Sequence, residues 1–271
     1  MKTKRIETFG LWCLLTFMAI VFLFPLIFTI YYSLLPVEDF GKIVSLSHLT
    51  LDNFVTIITK YNMVNWIKNT IIITFFLVAG GLIVNVMAGY ALGSMEFPGK
   101  NIIFYVILGS MMVPFQCILT PIYIQVSKLG WADKLQACIV PFLMNCLYIF
   151  IARQFFCTFP KTIKEAAMVD GVGEFGVFFR IVVPNSKPIF VTLIILSFTG
   201  AWNSYLIPST FLTSSDKFPL AVGIKTIKDY MFEQRNMTLA GVVVLSIPIL
   251  VCFLSLQKYF VRGVVTSGIK D

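Results

Sequence analysis

Residues 165–188 read EAAMVDGVGEFGVFFRIVVPNSKP. This is the longest run of closely spaced charge in a strongly apolar chain, with Glu165, Asp170, Glu174, Arg180 and Lys187 inside it. Pro160 lies just ahead, at a first-turn position where a missing N–H does no harm. Ala166 and Ala167 are small and strongly helix-forming. Gly171 then predicts a positive φ at a helix C-terminus. A second helical run follows through Phe175, Phe178, Phe179 and Val182, and Pro184 and Pro188 are expected to end it. The stretch predicts a helix, a sharp glycine turn and a second helix, lying at a membrane surface between two spanning segments. Asp170 opposes the helix dipole where it stands. Three readings fit it: a cap on the following helix, a partner for a basic group on this chain or another, or a solvated carboxylate.

The surroundings set the class. Of 271 residues, 58% are hydrophobic and 13% charged, and the mean hydropathy is +0.88. A soluble domain carries about 25% charge, so the composition predicts an all-α polytopic membrane protein. No basic cluster interleaved with aromatics faces water, so the net charge of +8 does not point to nucleic acid. Cys13, Cys117, Cys138, Cys146, Cys157 and Cys252 are scattered without CxxC spacing and read as unpaired thiols.

Six spans are expected, near residues 9–35, 66–92, 102–126, 135–156, 189–208 and 239–261, in one domain covering 1–271. The first apolar run is too long for a cleavable signal and follows Lys2, Lys4 and Arg5. That basic start and the even number of spans place both ends, and the loop 158–188, in the cytoplasm; the lysine and arginine bias adds little. A short surface helix is expected near Leu51–Thr59, and residues 211–236 read as a polar outer stretch. Gly80, Gly81, Ala88 and Gly89 allow close helix approach in span two. Pro25, Pro114, Pro121, Pro141 and Pro248 are candidate kinks.

The chain has no engine of its own. Gly99-Lys100 is followed by Asn and lacks the earlier glycine of a phosphate-binding loop. There is no metal-ligand cluster and no nucleophile–base constellation. No carboxylate sits mid-span, where a proton-coupled carrier would use one. Energy for active transport must then come from another subunit.

Glu165, Ala166, Ala167, Gly171, Ile181 and Pro184 resemble the EAA loop of the membrane subunits of bacterial ATP-binding-cassette importers. Val183 stands where that family usually has Leu. Asp170-Gly171, the Phe97-Pro98-Gly99-Lys100 turn, Trp202-Asn203 followed by Pro208, and the ending Pro248…Gln257-Lys258-Tyr259-Phe260-Val261-Arg262-Gly263…Gly268…Lys270 resemble the shorter permease of the type-1, maltose-like carbohydrate group. The resemblance implies an inner-membrane permease subunit with six spans, importing a di- or oligosaccharide by alternating access. It implies a homologous second permease, two ATPase subunits holding the ATP and Mg, and an extracellular solute-binding protein. It also implies that Glu165, Ala166, Ala167, Asp170, Gly171, Ile181 and Pro184 couple to the ATPase, with the alanine pair in its groove. A glycerol-phosphate or other small polar solute, or a self-sufficient secondary carrier, is the alternative.

Asn85, Gln116, Asn145, Trp202, Asn203 and Ser204 are polar or aromatic groups inside the expected spans. Amides and an aromatic face suit a sugar in a wet cavity. The same side chains also suit bonds between neighbouring helices, and both readings stand.

Overall fold

The computed structural model describes residues 2–42, 44–230 and 235–267, and among them every regular element is helical. Helix α1 is Lys2–Ser33, α2 Asp52–Lys60, α3 Met63–Ser94, α4 Lys100–Met111 and α5 Phe115–Lys128. Two 3-10 turns, Leu135–Cys138 and Val140–Phe142, precede α6, Cys146–Cys157. Helices α7 (Lys161–Val169) and α8 (Glu174–Val177), a π-helical turn (Phe178–Val182) and α9 (Val183–Asn185) form the surface loop. Helices α10 (Lys187–Trp202), α11 (Leu206–Phe211), α12 (Leu220–Tyr230) and α13 (Arg235–Ser267) complete the chain. Four segments are long and apolar enough to cross a membrane, or six if each of two bent pairs counts as one span.

The chain divides into two compact units. In the unit made of Met1–Val64 and Val222–Ile247, two buried asparagines finish α1. The last carbonyls of a helix lack partners within it. Here the Asn53 side chain donates to the carbonyls of Ser33 and Leu35, and that of Asn236 donates to Leu35 and Pro36. Phe9, Trp12, Phe17 and Phe22 of α1 are exposed, as on a helix that faces lipid or another chain.

In the unit made of Asn65–Ala221 and Pro248–Asp271, α3 runs 32 residues without a break, while three of the other helical runs are interrupted. Helices α4 and α5 meet at 103° across Met112–Pro114. The 3-10 turns give way to α6 across Leu143–Asn145. Helices α10 and α11 are separated by Asn203–Tyr205. Proline explains two of these breaks. The rings of Pro114 and Pro208 would clash with the carbonyls of Ser110 and Ser204 in a continuous helix. In the third, Asn145 is extended and its side chain accepts from the amides of Leu147 and Tyr148, an N-cap that starts α6 afresh.

Each side of these breaks has its own apolar cluster. Val86 and Tyr90 of α3 pack with Ala152, Phe156, Phe178 and Leu193. Ile73 of α3 packs with Val126, Ala137, Cys138, Phe211 and Leu212. Helix α3 also lies directly on α6: a Cβ on Gly89 would collide with that of Ala152, and one on Gly93 would come 2.9 Å from the Arg153 carbonyl and the Phe156 Cβ. Arg153 lays its guanidinium over the Phe104 ring at 3.7 Å, joining α4 to α6.

Several expectations need correction. The run expected as span three is two helices bent by 103°, while that expected as span four is a candidate span, Leu135–Cys157, that opens with two 3-10 turns before α6. The run expected at 189–208 starts two residues earlier and breaks at Asn203. Pro184 and Pro188 do not end the second surface helix. Pro184 sits in the first turn of α9 and Pro188 in that of α10, where the missing N–H is harmless, and the break falls at Ser186. Of the prolines expected as kinks, Pro114 stands at the break between α4 and α5, Pro141 in the second 3-10 turn, and Pro25, Pro121 and Pro248 inside helices. The stretch 211–236 is no plain loop, since α12 buries Leu220, Val222, Ile224 and Ile227. Residues 231–234 of that stretch, and Gly268 and Lys270 of the C-terminal motif, lie outside the described residues.

Candidate functional site

Two places collect the residues singled out by sequence. The first is the surface loop. Gly171 has φ +78°, as its position predicts. Its N–H donates to Met168 and that of Val172 to Ala167, the paired bonds that close a helix through a left-handed residue. Lys164 ties the hairpin down. Its ammonium lies 2.9 Å from Glu174 Oε1 and donates to the Ser94 carbonyl at the end of α3. The Tyr90 hydroxyl donates to the other oxygen of Glu174 at 3.4 Å. The two helices of the loop are thus pinned to each other and to α3.

This fastening decides which loop residues are free. Ala167 is 6% exposed and packs in the cluster with Phe156 and Phe178. The expectation that Ala167 enters a partner's groove is therefore corrected: its methyl closes the loop onto this chain's own core. Ile181 is partly buried against the same cluster. Glu165, Ala166, Met168, Val169 and Asp170 face outward, and Val169 is 87% exposed. Asp170 caps α7 with its backbone, and Gly173 occupies the N-cap of α8. Among the described residues the Asp170 carboxylate has no partner, which leaves the solvated reading or a partner on another chain.

The second place is a cavity of about 620 Å³. The three breaks at Met112–Pro114, Leu143–Asn145 and Asn203–Tyr205 reach it, through Val113, then Leu143 to Asn145, then Ser204. Irregular backbone in a membrane protein is tolerated where it lines a cavity. Asn85, Asn145 and Ser204 line it, with Ser110, Ser197 and Tyr148. Among the described residues, Asp, Glu, Lys, Arg and His are missing from its lining.

The other candidates lie elsewhere. Gln116 is exposed in the first turn of α5 and Asn203 is exposed as the C-cap of α10; neither lines the cavity. Trp202 is buried, its ring stacked on Phe198 at 5.4 Å. Asn85 is 1% exposed. Its Nδ2 donates to the carbonyls of Gly81 and Leu143, and its Oδ1 accepts from the amide of Asn145. Its polar atoms therefore serve neighbouring backbone.

Sequence reasoning missed three features. Gly93, four residues after Gly89, completes the small-residue stripe against α6. Lys164 and Glu174 sit on either side of the predicted turn, and their opposite charges were the available signal. The partner of Asn85 is backbone, which no residue pattern reveals.

The family described as binding-protein-dependent transport system inner membrane component matches residues 85–266. The chain is 32% identical over 275 residues to the arabinooligosaccharides transport system permease protein AraQ of Halalkalibacterium halodurans, covering 99% of each. It is 29% identical over 259 residues to AraQ of Bacillus subtilis, 93% of this chain and 92% of that one. The sn-glycerol-3-phosphate transport system permease protein UgpE of Yersinia pestis is 29% identical over 201 residues, 73% of this chain and 72% of that one. A bacterial ABC transporter involved in the import of the acidic polysaccharide alginate has a chain of the same fold, with a TM-score of 0.85 at 23% identity, covering 96% of this chain and 98% of that one. The chain belongs to the inner-membrane components of binding-protein-dependent transport systems: it is a multi-pass permease subunit of an ABC importer complex, not an enzyme, in a family that carries no cofactor of its own.

Proposed function

We propose that this chain forms half of the solute pathway for a neutral oligosaccharide. The uncharged lining of the 620 Å³ cavity carries the reading. Hydroxyls and amides serve sugar hydroxyls there, and Phe115 and Phe142 offer apolar faces. Both AraQ relatives are named for arabinooligosaccharides, which supports the class. A phosphate-bearing solute of the kind in the name of UgpE would call for a cation in the wall. Asn145 and Ser204 are the proposed contacts, and Trp202, Asn203 and Gln116 are assigned to the pathway's margins.

The chain acts as one permease domain of six spans, with both termini and the loop 158–188 in the cytoplasm of a bacterial cell. A homologous permease supplies the other half of the pore. Two ATPase subunits dock on the loops, and an extracellular binding protein delivers the sugar. Glu165, Ala166, Met168, Val169 and Asp170 meet the ATPase, while Ala167, Gly171, Ile181 and Pro184 shape the loop that presents them.

The complex in liposomes, with its ATPase, partner permease and binding protein, tests this. ATP-dependent uptake of arabinotriose, with none of glycerol 3-phosphate, is expected. Preference for the phosphate, or transport by this chain alone, would contradict the reading.

A further inference from the structure

We propose that Asn85 is a positioning residue: it shapes the cavity wall by standing in for the helical turn missing at Leu143–Asn145. The run around this break is apolar, yet its backbone loses helical bonding there. A backbone donor or acceptor buried without a partner is costly. The Asn85 amide satisfies one of each, accepting the Asn145 N–H at 2.8 Å and donating to the Leu143 carbonyl at 2.9 Å. It remains anchored to its own helix through Gly81, at 2.6 Å.

The bond continues into the next helix. Asn145, placed by Asn85, uses its own Oδ1 to cap the first turn of α6 at Leu147 and Tyr148. Asn145, Cys146, Leu147 and Tyr148 all line the cavity. One side chain on α3 therefore sets where that wall begins and how it faces.

Position along α3 gives the residue its leverage. Gly81, Asn85, Gly89 and Gly93 recur every fourth residue, which places them on one helix face. Gly89 and Gly93 meet α6 backbone and Cβ atoms too closely for any larger residue. Below Asn85, α3 and α6 are thus pressed together as one body. Above it, α3 joins the other cluster through Ile73, with Ala137 and Cys138 from the first half of the broken span. Asn85 sits where α3 passes from one cluster to the other. Nine residues on, about 14 Å along the helix, Ser94 receives Lys164 of the surface loop. The functional consequence rests on the cavity being the solute pathway; the positioning role does not.

Two native thiols on α6 separate the proposal from general loosening. Cys146 lines the cavity at the start of the helix, and Cys157 is exposed at its end. The assembled importer, with Cys13, Cys117, Cys138 and Cys252 replaced by Ala or Ser, is labelled with a small water-soluble methanethiosulfonate. Asn85→Leu should raise the Cys146 labelling rate by about tenfold, as unpartnered backbone lets the break open locally, and leave Cys157 within about twofold. Asn85→Asp, neutral when buried, keeps the acceptor for Asn145 and one donor of the two; it should give an intermediate rise, and it is the variant to read if the Leu form does not assemble. An unchanged Cys146 rate would overturn the proposal. So would a parallel rise at both thiols, or failure of both variants to assemble, since Asn85 would then support the fold as a whole. Because no sugar is involved, the result stands apart from the choice of solute.

Discussion

Two helices in this chain end in the same turn and lead to opposite outcomes. Helix α5 closes through Gly130, φ +66°, and α7 through Gly171, φ +78°. In each, the glycine N–H donates three residues back and the next N–H five residues back. In each, the residue accepting the longer bond, Val126 or Ala167, is buried in a cluster. The surroundings of the two turns differ. After Gly130, Asp133 takes a left-handed φ of 57° and latches a second loop. Its Oδ1 accepts the amides of Thr213 and Ser214, and its Oδ2 accepts the Ser214 hydroxyl and the Lys217 ammonium. At Gly171, Asp170 and Val169 are left facing out. Both turns leave the residue before the glycine exposed; the first leads into a latch through Asp133, while the second is fastened from within by Lys164 and Glu174. That contrast separates a fixture from the face proposed above to dock.

The largest effect should come from breaking the latch. Burial disfavours the charged form of Asp133, but hydrogen bonds from Lys217, Ser214 and Thr213 outweigh it and hold the carboxyl well below the usual carboxylate range. A depressed value stabilises the fold above the ordinary carboxylate pKa, and that stabilisation is lost as pH falls through the folded value. Asp133→Ala should cost about 3 kcal/mol at neutral pH. In thermal unfolding of the detergent-purified chain, wild type and variant should converge as the pH is lowered below about 4.

Next is Ala167→Leu. Overpacking a buried site costs about 1–3 kcal/mol. Because Ala167 faces this chain's own cluster, the loss should appear in the purified permease without any ATPase present. A variant with normal stability alone, and a defect only in the complex, would return Ala167 to the partner interface.

The two glycines sharpen the comparison directly. A Cβ at Gly130 or Gly171 meets nothing within 4 Å, so only backbone strain is at issue. Gly130→Ala and Gly171→Ala should each cost about 1–2 kcal/mol, yet only the second should lower ATP-driven uptake. The smallest stability effect belongs to Asp170→Ala. An exposed residue without a partner should change stability by less than about 0.5 kcal/mol, while ATPase retention in co-purification falls.

The turn at Gly171 was legible because a glycine after a short alanine-rich helix has few other uses. The direction of Ala167 was not, since alanine fits an inner and an outer face equally well. Long apolar runs announced the membrane class, but the same runs hid the break at Leu143–Asn145. Leu143 and Met144 keep the hydropathy high while the backbone leaves the helix, and the compensating group, Asn85, lies about sixty residues away in another helix. Asp133 was invisible for a similar reason: its partners at Thr213–Lys217 are remote in sequence.

If the proposed docking is right, the Gly171 turn meets the ATPase and the Gly130 turn does not. Val169, two residues before Gly171 and 87% exposed, and Leu129, one residue before Gly130 and 61% exposed, offer apolar probes at the two turns. A photo-crosslinking residue is placed at one or the other in the assembled importer and irradiated. An adduct with the ATPase subunit is expected from Val169 and none from Leu129. An ATPase adduct from Leu129, or none from Val169 in an intact complex, would contradict it.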